Sequence, residues 1–173
     1  MRACRSTSAP RGGPGPDCAD KQFAKTYYAC IRFLRLYELL EAYQRPIMQI
    51  DVDSVVRRDF HELFHRLQGR DAGILNVMGR RGPFRDFHAA YIAFNPSPGA
   101  KDYLSLVARY VAAFIQGDAL TWMVDQSALF SAYDYLDKRG EAPDIERLDI
   151  DRFKHCDFIA RHYFGMPGGI ALG

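Results

Sequence analysis

Residues 46–68, PIMQIDVDSVVRRDFHELFHRLQ, decide how the rest of the chain is read. Pro46 ends whatever helix precedes it and opens the short, apolar run IMQIDV, which reads as a buried strand. Residues 57–68 return to helical spacing, and Gly69 stops them. A strand passing directly into a helix predicts an α/β layer. The same stretch carries two metal motifs side by side, Asp51-x-Asp53 and His61-Glu62-x-x-His65.

Outward from there, the pattern repeats. Residues 21–44 place Phe23, Tyr27, Ile31 and Leu34 at helical spacing, and Arg45-Pro46 ends that helix. AGILNV (72–77) and FHAAYIAFN (87–95) read as strands, separated by the polar, Gly/Pro-marked loop GRRGPFRD. Residues 99–116 carry Tyr103, Leu106, Val107, Tyr110, Val111 and Phe114 on one helical stripe. A further helix is predicted over TWMVDQSALFSAYDYL (121–136), and the chain closes on the Gly-rich GMPGGIALG. The expected fold is α/β, a single layered domain with a small mixed sheet flanked by helices. Residues 1–20 read as a disordered leader, 21–140 as the core and 141–173 as a partly irregular extension.

Composition fits one globular domain, since 173 residues suffice for one core but not for two ordinary ones. A net charge of +2 gives no reason to expect nucleic acid as a partner. No apolar run is long enough for a membrane span. The leader lacks the apolar segment of a secretory signal. Cys4, Cys18, Cys30 and Cys156 are scattered without a CxxC pair, which suggests reduced thiols and a cytoplasmic protein.

Of the two metal motifs, the histidine pair fits its helix poorly. Phe60, Leu63, Phe64 and Leu67 form the stripe that must face the core, which leaves His61, Glu62 and His65 on the solvated side. The aspartates have a better context. They sit at the carboxyl end of a buried strand, where open α/β sheets bind ligands. Residues two apart in a strand point to the same side, so Asp51 and Asp53 can share a hard cation with phosphate oxygens and water. Asp125 and Gln126 interrupt an apolar run and are expected to be at least half buried, which marks them as candidate site residues. Arg80, Arg81 and Arg85 read as a solvated basic loop, and His155 and His162 match no motif.

The order of these features, a helix over YYACIRFLRLYELLEAY, a strand ending in DVD, a helix, a strand, then YIAFNPSP, a long helix and WMVDQSAL, resembles the GT-A-type nucleotide-diphospho-sugar transferases across about residues 25–136. The resemblance implies part of a GT-A, Rossmann-like fold. It implies Mn²⁺ or Mg²⁺ held by Asp51 and Asp53 against a nucleotide-sugar donor, with Asn95 and Gln126 binding the sugar. Asp125 is then the nominee for the base of an inverting transfer to an acceptor: a glycan, lipid or protein. Only 50 residues precede Asp51, so the implied enzyme is N-terminally shortened. Two other readings follow from the same residues: an inactive remnant that serves as an interaction or structural domain, and a zinc hydrolase built on the HExxH pair.

Overall fold

The computed structural model describes residues 16–51, 54–56, 59–76, 87–117, 121–149 and 156–158. Helix α1 spans Pro16–Tyr43, so it begins ahead of the expected Lys21. A proline is suited to the first turn, where its missing N–H has no partner to lose. Gln44, at φ 50°, ends the helix in a left-handed conformation, and Pro46 forbids its resumption. Strand β1 (Ile47–Ile50) follows, then β2 (Ser54–Val56), the short helix α2 (His61–Arg66), β3 (Ala72–Asn76) and β4 (His88–Phe94). Two long helices come next, α3 (Pro98–Gln116) and α4 (Val124–Asp137), before strands β5 (Ile145–Asp149) and β6 (Cys156–Phe158).

Four strands form a mixed sheet in the order β1-β4-β3-β5. Its first three are antiparallel neighbours, whereas β3 and β5 run parallel. The sheet thus crosses the boundary expected at residue 140. β5 reads IERLD, with three charged residues in five as befits an edge strand, and its Leu148 is fully buried. β2 and β6 pair separately as a two-stranded antiparallel ribbon.

Alternation along the central strands sorts the core into two layers. Ala72 and Ile74 of β3, with Ile92 and Phe94 of β4, face the three long helices, where Phe33, Leu40, Tyr103, Leu104, Val111 and Leu129 are buried. Leu75, Tyr91 and Ala93 face the other way and pack with Leu63 and Leu67 around α2. Gly73 lets α2 approach: a Cβ there would meet Leu67 Cδ2 at 2.7 Å. The Tyr103 hydroxyl donates to the Leu129 carbonyl at 2.8 Å and ties α3 to α4 inside the core.

Ser97 caps α3 by accepting from the Ala100 N–H, and Pro98 occupies its first turn. Asp71 accepts from Ser97 Oγ at 2.5 Å and from the Asp144 N–H at 2.7 Å, so one carboxylate joins the start of α3 to the approach to β5. Asn95 serves the same corner. Its amide donates to the carbonyls of Leu67 and Arg70, at 2.5 and 2.7 Å, and pins the turn between α2 and β3. Asn95→Ala leaves those carbonyls without that donor. Solvent reaches the Arg70 side, so the expected cost is about 1 kcal/mol. Thermal unfolding followed by circular dichroism should show a midpoint lower by roughly 3 °C.

Candidate functional site

The carboxyl end of β1, the amino end of β4 and the first turn of α4 converge on one face of α1. Lys25, Ala29 and Arg32 share that face, as residues separated by four and three positions must on a helix. Together with Gln49, Asp51, His88, Trp122 and Gln126 they surround a cavity of about 860 Å³. Helix, sheet edge and helix N-terminus each supply part of the wall.

Arg32 organises the charges. One end of its guanidinium binds the Asp51 carboxylate, and the other donates to Asp125 Oδ2 at 2.8 Å. All three side chains are at most about a third exposed. Two acids from different elements thus share a single planar cation, an arrangement that suits arginine's fixed fork of donors. Asp125 also accepts from the Gln126 N–H at 2.9 Å and lies in the first turn of α4, where the helix dipole favours a negative side chain.

The turn before α4 is unusual for its residue. Met123, at φ 74°, is a non-glycine residue in the left-handed region and offers no side-chain cap. It joins the half-exposed Trp122 to the buried Asp125. Lys25 reaches from α1 over the Trp122 ring, 4.8 Å from its centroid. Behind Asp125, the fully buried Cys30 sulfur takes a hydrogen bond from the Asp125 backbone. Burial pushes the Cys30 thiol up to about 12, with the Asp125 charge adding to the rise and the Arg32 charge opposing it.

Of the residues nominated from sequence, Asp51, Asp125 and Gln126 meet here. Asn95 lies beyond the opposite end of β4, roughly 20 Å along the strand. Asp53, the arginines of the 79–86 loop, His155 and His162 lie outside the described residues. His61, Glu62 and His65 are exposed on α2. Arg32, Gln49, Lys25 and Trp122 were not singled out by sequence reasoning. Trp122 carried a signal, as the sole tryptophan and three residues from Asp125.

The metal expectation is corrected. Among the described residues no group of three or more His, Cys, Asp or Glu side chains can hold a metal ion, so neither the expected Mn²⁺ or Mg²⁺ nor zinc at His61 and His65 finds a site there. The physical reason lies in Arg32, which takes Asp51 and Asp125 as its own counter-ions. The metal-dependent GT-A transferase reading loses the support it drew from the expected cation. Comparison with known protein families, curated proteins and solved structures finds no match to the chain. The cytoplasmic expectation rested on the scattered cysteines, and Cys30, the cysteine whose side chain is described, is buried core, a placement independent of compartment, so that basis falls away. No described helix is long and apolar enough to cross a membrane.

Two outcomes follow. Arg32→Ala leaves two partly buried carboxylates facing each other, and should cost about 3 kcal/mol in urea unfolding. Adding Asp51→Asn and Asp125→Asn to that variant should recover most of the loss. The second concerns Cys30. In the unfolded chain this thiol ionises near pH 9, whereas in the folded chain it stays protonated to about 12. Its contribution to stability is complete below pH 9 and is lost as pH rises from 9 through 12. Stability measured across that window should fall less steeply for Cys30→Ala than for the parent chain. Peptide mapping after alkylation at pH 8 should find Cys30 labelled only in denaturant.

Proposed function

We propose that the chain is a sugar-binding domain whose ligand enters the cavity between α1, β1 and α4, and that it binds without a metal ion. The observation that carries this reading is the division of labour inside the cavity. Its deep charges are matched by one another, Arg32 against Asp51 and Asp125, while its uncharged polar groups are left over. Gln49 Oε1 and Nε2 and Gln126 Oε1 are buried without a hydrogen-bond partner. Such atoms have no accessible surface as they stand and are costly to bury unpaired, so a ligand rich in both donors and acceptors gains by drawing the two glutamine side chains into the cavity. Hydroxyl groups do both.

The rim supports the same class. Trp122 and Tyr28 are exposed at 53 and 70 %, and both line the opening. A pyranose presents a C–H face to the negative face of an aromatic ring while its hydroxyls point sideways to amides. The cavity is also of the size that encloses small ligands, about 300–1,000 Å³. This reading keeps the sugar of a nucleotide-sugar donor as one source of ligand, alongside free glycans, and drops the cation. It also favours binding over group transfer, because Asp125 is engaged by Arg32 and by its own helix.

Trp122 is the only tryptophan, so its fluorescence reports on this cavity alone. Titration with a panel of neutral mono- and disaccharides should give a saturable change in emission that EDTA leaves untouched. Trp122→Ala, followed by calorimetry, should bind about tenfold more weakly. A folded chain whose emission and heat are unmoved by every sugar overturns the proposal, and binding abolished by EDTA overturns its metal-free form.

A further inference from the structure

The four-stranded sheet has two edges, β1 and β5, and they are built differently. β5 reads IERLD, with charges that discourage a further strand. β1 reads IMQI, uncharged, and each of its residues is only partly buried. Its inner side pairs with β4, where Ile50 stands opposite Tyr91. Just beyond, the Asp51 N–H donates to the Ala90 carbonyl at 3.1 Å, which fixes the phase of the ladder. Antiparallel pairing turns alternate residues inward, so Ile47 and Gln49 share the phase of Asp51. The N–H and C=O groups of Met48 and Ile50 therefore point away from β4. Among the described residues no backbone hydrogen bond outside the ladder reaches Met48 or Ile50, and β2, the next strand, pairs with β6 instead.

We infer that β1 is a docking edge for a second copy of this chain, which adds its own β1 antiparallel about a two-fold axis through Gln49. Met48 of each copy then stands opposite Ile50 of the other. Each such pair exchanges both of its N–H···O bonds, and no outward group of the two residues is left over. Charge selects both the partner and the direction. Arg45, which is exposed, precedes the strand, and Asp51 follows it. Antiparallel self-pairing brings the basic end of each strand to the acidic end of the other, whereas parallel pairing sets like charges side by side. Ile47 of the second copy falls opposite Asp51 and carries that copy's Arg45 to the rim of the cavity, of which Asp51 is one wall. Pro46, with no N–H to offer, ends the ribbon on each side. Because β5 is guarded and both copies use the same edge, assembly stops at a dimer.

The test follows the full chain by sedimentation velocity from micromolar to near-millimolar concentration, with hydrogen exchange on the same samples. The mass should rise from monomer to dimer and no further, and the Met48 and Ile50 amides should become protected as it rises. Arg45→Glu, a change on the surface that sets one acid against another, should weaken the dimer about tenfold. Ile50→Pro removes an outward N–H and no bond to β4, and should abolish the dimer. Circular dichroism checks that each variant folds, and Arg45→Glu carries the test if the proline variant does not. A chain that stays monomeric throughout overturns the proposal. So does a dimer indifferent to the folded variants. Protection of the Met48 and Ile50 amides already present in the monomer overturns it as well, because the chain itself then covers this edge.

Discussion

A single guanidinium between two carboxylates holds the functional end of this fold together. Asp51 follows β1 and Asp125 lies in the first turn of α4, and neither element touches the other through the sheet ladder. Arg32, midway along α1, reaches both. Remove the cation and two acids face one another in partly buried space; remove an acid and an arginine loses half of its match. Pairs of this kind cost as much to desolvate as they return, so their value lies in fixing geometry more than in raw stability. Here the geometry fixed is the mouth of a cavity. The Met123 turn, the Cys30 hydrogen bond to the Asp125 backbone and the Lys25–Trp122 contact all lie around that anchor.

Much of the scaffold was legible because its elements bury one face at a regular period. α1, α3 and α4 follow their apolar stripes, and β1, β3 and β4 fall within the predicted strands. β5 escaped because an edge strand tolerates charges where a central strand carries valine, so IERLD looks like a loop by composition. α2 is shorter than its apolar spacing suggests, since the spacing of Phe60 to Leu67 serves a single turn and its flanks equally well. The ribbon of β2 and β6 joins residues about a hundred positions apart, a pairing that no local pattern announces.

The candidate site was half legible, and the division has a physical cause. Asp51, Asp125 and Gln126 stand out in sequence because polar residues at the ends of apolar runs have few reasons to be there. Arg32 does not stand out. Arg35, three residues on, looks identical in the helix pattern, yet it is exposed and bound to Glu38, one turn away. Only the approach of β1 and α4 distinguishes the two. Asn95 shows the opposite case. A side chain with two donors at a strand end suits a ligand, but it equally suits the carbonyls left open by a tight turn, and here the turn takes them.

Which cation faces the acids decides what chemistry the cavity can host. A divalent ion is exchangeable and spherical, and it turns an acidic pair toward phosphate. A guanidinium belongs to the chain, directs its donors in one plane and cannot leave with a product. With Arg32 as that cation, the charges beneath the ligand cancel without help from solution, and recognition passes to the neutral groups around them. For Asp125 to accept a proton from an acceptor hydroxyl, it would first have to exchange its bond to Arg32 for one to the incoming group. The described arrangement holds that carboxylate as a wall, and a wall of paired charges lined by unpaired amides is suited to holding a neutral, hydroxyl-bearing ligand in place.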